Sequence, residues 1–462
     1  MNRREFDWRW IVGGLILIGL VILAVVLNLN YNTSSNSSSS SINIDNGDTK
    51  INWDNYNTYE VELSGSYDIT APGTYHLTGT IEDGGISVKL VDNGVARLIL
   101  DNVSIKNSDG PAITCYSGDD LVIELIGENY LEDGASYNSS YNEDVKGAIY
   151  SKADLTFKGD GSLTLKANYQ DGIVSKDDLK FNGGTYNITA KDDGIRGKDS
   201  VYIVDGDFAI SASGDGIKST NTSDLDKGFV LIAGGEINIK KSYEGIEARK
   251  IIIDGGEISL FSNDDGLNAA AGTTSNTGNK NPMMDVDESC SIIVNNGELY
   301  VNAAGDGLDS NGYIYINGGK VVVDGPTNSG NGALDAGVEI VMNGGTAIAV
   351  GASGMAENLG SNSTIYNISV FFTSTLPKGT EIEIRNSDGE TVLTHTAVKA
   401  FAHLAAGTAG FTLGETYTIY INDAEYTTFT ISNIVTVVGN GGNNMGGGAP
   451  MGGAPAQQGG RR

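Results

Sequence analysis

Cysteine is almost absent. Cys115 and Cys290 are the only two, too few for a disulfide framework, and each is expected as a small buried hydrophobe. Histidine is as scarce: His76, His395 and His403 lie far apart and give no zinc-like spacing. Proline numbers 7 against 64 glycines, which excludes collagen and suits a chain of many tight turns. Trp8, Trp10 and Trp53 are the only tryptophans, so the later chain offers no tryptophan platform for a flat crystalline glycan. Positive charge is also short. Against 58 acidic residues stand 29 basic ones, a formal charge of −29. Such a surface repels nucleic acid and bare polyanions unless cations intervene.

Long apolar runs are missing, with one exception. Residues 10–29, "WIVGGLILIGLVILAVVLNL", carry no charge and are about long enough to cross a bilayer as a helix. Arg3, Arg4 and Arg9 precede the run, and no Lys or Arg follows until Lys50. The positive-inside rule then predicts an uncleaved single-pass anchor, with residues 1–9 cytoplasmic and the remainder outside the cell. Residues 30–50, rich in Ser and Asn, read as a linker. The Gly/Met-rich tail, 438–462, has too little apolar content to build a core.

Between these ends the chain repeats itself. An acid followed by Gly-Ile or Gly-Leu places its glycine at 172, 194, 216, 245, 266 and 307, giving intervals of 22, 22, 29, 21 and 41. A second phrase keeps step: "FNGGTYNI", "VDGDFAI", "IAGGEINI", "IDGGEISL", "INGGKVVV". Each unit holds three short runs alternating at period two, as at Ile195, at Val201/Ile203 and at Phe208/Ile210, so the elements are strands. Three strands and three turns in about 22 residues predict one coil of a parallel β-helix. The expected fold is all-β: a right-handed solenoid of three parallel sheets over 51–362, with a small β-rich cap at 363–437. Propeller blades and leucine-rich repeats do not match this period or these residues.

In stacked coils, equivalent positions lie about 4.8 Å apart. Asp171, Asp193, Asp215, Glu244, Asp265 and Asp306 then form a column. Neighbouring charges at that spacing repel by roughly 3.5 kcal/mol at an effective dielectric near 20. Asp-Gly is also an ordinary turn pair, so splayed, solvated acids are one solution. A divalent cation is the other, and further oxygen ligands favour it: Asp192, Glu247, Asp264, Asn268 and Asp309. Oxygen donors without histidine or cysteine point to calcium. Arg196 and Lys218 take the slot that later holds Glu247, Asn268 and Asp309, so calcium is expected mainly in the later repeats. Tyr137, Tyr141, Tyr169 and Tyr243 are aromatic candidates for sugar contact, with packing as the alternative.

The stretches "GTYHLTGTIEDGGISV", "RLILDNVSIKNSDGPAI", "DGIVSKDDLKFNGGTYNITAKDDGIRGKDSVYI" and "GASGMAENLGSNST" resemble the carbohydrate-binding β-helix proteins of clostridia and related Gram-positive bacteria. That family in turn resembles family 9 pectate lyases in fold. The resemblance spans roughly residues 55–440. It implies calcium held between coils and binding of plant cell-wall polysaccharide, including acidic polygalacturonate. The expectation is a membrane-anchored, monomeric, calcium-dependent binder without catalytic activity. A calcium-dependent polysaccharide lyase using Lys218 or Arg196 as base, and a structural stalk or adhesin, are the alternatives.

Overall fold

A computed structural model describes residues 51–91, 94–271 and 286–439. These belong to the unit Gly47–Arg462. Residues 1–9, 10–29 and 30–50, and the tail from 440, lie outside the described residues.

Alternation of apolar and polar residues produces short strands, and each strand pairs in parallel with its equivalent one repeat later. Leu155, Leu179, Val201, Val230, Ile251, Ile292, Ile314 and Ile340 stand in register one above another. All are buried. A second column runs Ile149, Ile173, Ile195, Ile217, Ile246, Leu267, Leu308 and Leu334. A third passes through Leu163, Tyr186, Phe208, Ile237, Ile258, Leu299 and Val321. The three columns meet in one continuous apolar core. Each strand covers the exposed hydrogen-bonding edge of the one before it.

The expected right-handed solenoid of three sheets with a transmembrane helix is corrected in two respects. Hydrogen bonding joins the strands into two large sheets, of 23 and 11 strands, together with a four-stranded sheet. The physical reason lies at the glycine turns. In Asp178–Ala190 and Ser200–Ser211 the chain passes through Gly183, Gly184 and Gly206 at positive φ without ending the strand. Two of the anticipated runs thus become one bent, bulged strand. Secondly, the only helical segment among the described residues is the three-residue turn Trp53–Asn55. No helix among them is long and apolar enough to cross a membrane. The anchored, extracellular placement is corrected accordingly: the described structure holds no span to support it, and 10–29 is not part of that structure.

Residues after the last repeat divide between two sheets. Phe401–Thr408 pairs antiparallel with Thr346–Gly351 and with Asn367–Leu376, covering the edge that Thr346–Gly351 presents. Glu381–Arg385, Thr391–Thr396, Thr416–Ile421 and Ala424–Thr430 make the antiparallel four-stranded sheet over its own apolar cluster.

Candidate metal centre

The repeated acid-glycine phrase leads into six successive strands of the 11-stranded sheet, from Asp171–Ser175 to Leu308–Ser310. Its glycine is required by close stacking rather than by turn conformation. A Cβ on Gly172, Gly194, Gly216, Gly245 or Gly266 would come within 2.3–2.6 Å of the carbonyl oxygen of the next repeat's glycine. The acid before each glycine reaches toward the following repeat. Asp171 Oδ1 accepts the Asp193 N–H at 3.2 Å, and Asp193 Oδ1 accepts that of Asp215 at 2.9 Å. Asp215 Oδ1 takes the Glu244 N–H at 3.1 Å, and Asp265 Oδ1 the Asp306 N–H at 2.7 Å. One oxygen of each of these aspartates thus satisfies a backbone donor that its turn would otherwise leave unpaired.

The second oxygen is where repeats differ. Sheet register places Val174, Arg196, Lys218, Glu247, Asn268, Asp309 and Asp335 in one row beside the acid column. In the early repeats the row supplies cations. Arg196 Nη1 lies 3.3 Å from Asp171 Oδ2 and 3.7 Å from Asp193 Oδ2. Lys218 Nζ donates to Asp215 Oδ2 at 2.7 Å and also pairs with Glu247. Burial opposes the Lys218 charge, but bonds to Asp215 and Glu247 outweigh it and hold the ammonium above its usual range.

In the later repeats the row supplies oxygen. Asn268 Nδ2 donates to Glu244 Oε1 at 3.0 Å, while Glu244 Oε2 and Asn268 Oδ1 are buried with no partner. Asp215, Glu244 and Glu247 converge, as do Glu244, Asp264 and Asp265, and Asp265, Asp306 and Asp309; within each group one oxygen per residue lies within 4.8 Å of the others. Asp171, Asp192 and Asp193 form a further such group, beside Arg196. Nine of the eleven residues of the expected ligand set stand in this column and row, and Asp192 and Asp264 each stand one residue before a column position. Burial, then the charges of Glu247 and Asp215, raises Glu244 to about 8. Burial, then Asp265 and Asp306, raises Asp309 to about 8. Asp306 rises to about 7 and Asp265 to about 6, in both cases chiefly from burial. Asp193 is also pushed up, to about 7, by burial and then Asp171.

Two acids extend the column beyond the expected set. Asp335 continues the row after Asp309, and Glu357 Oε2 accepts the Ala336 N–H at 3.1 Å. Burial and then Asp335 push Glu357 to about 7. The "ALD" of 333–335 echoes "GLD" at 307–309, a signal that could have found Asp335; Glu357 comes from a loop with no repeat signature. A separate trio, Asp154, Asp177 and Asp178, converges after a different strand end and was also missed.

The donor set fits a hard divalent cation. Its donors are carboxylate and amide oxygens, two of them buried and unpartnered, and the raised pKa values express burial first and neighbouring carboxylates second. Of the aromatic candidates, Tyr137 packs against Tyr141 and Tyr169 and donates to Asp133 at 2.6 Å, which makes it a structural residue. Tyr243 is 51% exposed.

The sequence profile of carbohydrate-binding domain-containing proteins matches residues 64–324, more than half of the chain. A relative described in the same words, from Acetivibrio thermocellus, is 44% identical over 203 residues, or 43% of this chain and 71% of the relative. Among solved structures, the polysaccharide lyase-like protein from C. thermocellum, as its gadolinium derivative, shares 32% identity. That alignment covers 44% of this chain and 90% of the other, with a TM-score of 0.43.

Proposed function

The chain belongs to the family of carbohydrate-binding domain-containing proteins, and from that premise we propose that it binds acidic polysaccharide of the polygalacturonate type through calcium. Calcium would be held by Glu244, Asp264, Asp265, Asn268, Asp306 and Asp309, with Asp335 and Glu357 extending the acidic end. The observation that carries this reading is the pair of buried, unpartnered oxygens on Glu244 and Asn268 beside converging carboxylates. Removing these groups from water without a partner is costly, and a cation bridging them removes the cost. A protein of charge −29 also needs a positive intermediary to hold a polyuronate. Calcium at the rim of the column offers one, because it accepts six to eight oxygens and can share its shell between protein and glycan carboxylates.

The proposed activity is binding rather than lyase chemistry. A lyase needs a neutral base beside the metal. Lys218 is held protonated between Asp215 and Glu247, and Arg196 is paired with Asp171 and Asp193. Neither is free to take a proton. The test is retention of the full chain on immobilised polygalacturonate. Retention with calcium and release by chelator is the expected result. Unsaturated product absorbing in the ultraviolet would replace binding with lyase activity, and absence of retention with calcium would remove the acidic-glycan reading.

A further inference from the structure

A second site lies where the outer face of the largest sheet meets the four-stranded sheet. Sheet register sets its floor: Ser259 pairs with Tyr300, Tyr300 with Val322 and Val322 with Ile348. One step away along the strands, Glu257, Glu298 and Lys320 form the first wall. Thr394, His395 and Thr396, with Glu381, form the opposite wall. The space between them is a cleft of about 600 Å³, within the range of sites that hold small ligands. It crosses successive strands spaced about 4.8 Å apart, so it is an elongated trough rather than a round cavity.

The walls are held rigidly. Asp324 is fully buried at their junction. It accepts the Tyr300 hydroxyl at 3.2 Å from the floor. From the opposite wall it accepts the Val398 N–H at 3.1 Å and lies 3.2 Å from His395 Nε2. Nearby, the ammonium of Lys399, pushed down to about 8 by burial, donates to the Ala303 carbonyl. A buried carboxylate tying a strand of one sheet to a strand of another pre-organises the trough, which lowers the ordering cost of binding.

We propose that this trough binds a short neutral oligosaccharide. Its floor combines an aromatic ring with the aliphatic Val322 and Ile348, suited to the apolar faces of sugar rings. Its walls offer carboxylate acceptors and threonine hydroxyls, suited to sugar hydroxyls. Three glutamates stand against the single Lys320, which lies 3.5 Å from Glu298. That balance disfavours a uronate. The wall at 381–396 lies beyond the residues matched by the family profile, whereas the first wall and most of the floor lie within them, so the trough is completed from outside the matched domain. The inference rests on the carbohydrate-binding reading of the family but on neither calcium nor an acidic glycan.

Calorimetry on the full chain tests it, with cellohexaose, xylohexaose and mannohexaose as probes, in excess chelator and again in calcium. At least one probe should bind in both conditions. The double variant Glu257→Gln/Glu298→Gln should weaken that binding by about tenfold or more, through loss of charge-assisted hydrogen bonds. Ser259→Arg, which fills the floor, should abolish it. Near-ultraviolet circular dichroism confirms that each variant and the chelated protein remain folded. Retention on polygalacturonate with calcium, run in parallel, should be unchanged in both variants, and its failure in the parent would count against the metal reading alone. The trough proposal is overturned if no neutral probe binds, if binding vanishes with chelator while the fold persists, or if both variants bind as well as the parent.

Discussion

Repeats around residues 171–218 and those around 244–357 use the same acid column but neutralise it differently. In the first group, Arg196 and Lys218 reach across to Asp171, Asp193 and Asp215. In the second, the equivalent row positions hold Glu247, Asn268, Asp309 and Asp335, and among the described residues only Glu247 is paired with an internal cation, Lys218 of the repeat before. A built-in ammonium or guanidinium closes a site permanently, whereas an all-oxygen site is finished only by an ion from solution. The backbone is nearly the same in both groups. The chemistry is decided by one outward side chain per repeat.

The largest effect that separates the two groups is removal of divalent cations. At pH 8 the chelated protein is expected to melt about 10 °C below the calcium-loaded one, as expected for an ion that binds only the folded state. Proton linkage gives this loss a sign. Glu244, Asp306 and Asp309 have folded pKa values of about 8, 7 and 8, raised from ordinary values of 4.5, 3.8 and 3.8. The folded chain therefore binds more protons than the unfolded chain across that window, and metal-free stability falls as pH rises through it. Melting curves at pH 5 and pH 8 should show the chelated protein more stable at the lower pH. Calcium should narrow or reverse that difference, because protons and the ion compete for the same oxygens. A melting temperature indifferent to chelator at pH 8 would remove the distinction between the groups.

Lys218→Met breaks the comparison from the other side. The substitution keeps an unbranched apolar stem one atom shorter but leaves Asp215 and Glu247 facing each other without a cation. Removing one partner of a buried pair costs about 3–5 kcal/mol. In chelator the variant should lose stability of that order by urea titration. In calcium it should recover much of it, and isothermal titration should count one more ion than in the parent. If calcium gives no recovery, the Asp215–Glu244–Glu247 group is an ion pair and not a latent metal site.

Much of this contrast was legible in the sequence. The acid-glycine spacing identified the column, and reading "GIR", "GIK", "GIE", "GLN" and "GLD" against one another identified the row where charge changes sign. Other features were not legible because they depend on contacts between repeats. Nothing in the spacing says that Asp193 Oδ1 holds the Asp215 amide, so the aspartates looked free to splay. Glu357 joins the column from a loop, and loops carry no period. The separation into three sheets failed because glycines expected to end strands, such as Gly184 and Gly206, bend them instead. The trough around Tyr300 needs His395 brought beside Asp324 from 71 residues away, a juxtaposition no local pattern encodes.

The smallest effect should come from Asp309→Asn, and its sign is the informative part. Asp309 is raised to about 8 by burial and then by Asp265 and Asp306, so at neutral pH without metal it must take up a proton on folding, which opposes folding. Asparagine keeps the shape and an oxygen but needs no proton. In chelator the variant should therefore be more stable than the parent by about 1 kcal/mol, an increment typical of relieved charge crowding. In calcium the order should invert, because a charged ligand is lost and affinity falls by about tenfold. A substitution that merely disturbed packing would destabilise in both conditions. One that acted on a solvated surface acid would do nothing in either. Opposite signs in the two buffers are expected only if a carboxylate that is unfavourable alone becomes favourable around an ion, which is the property that sets the later repeats apart from the early ones.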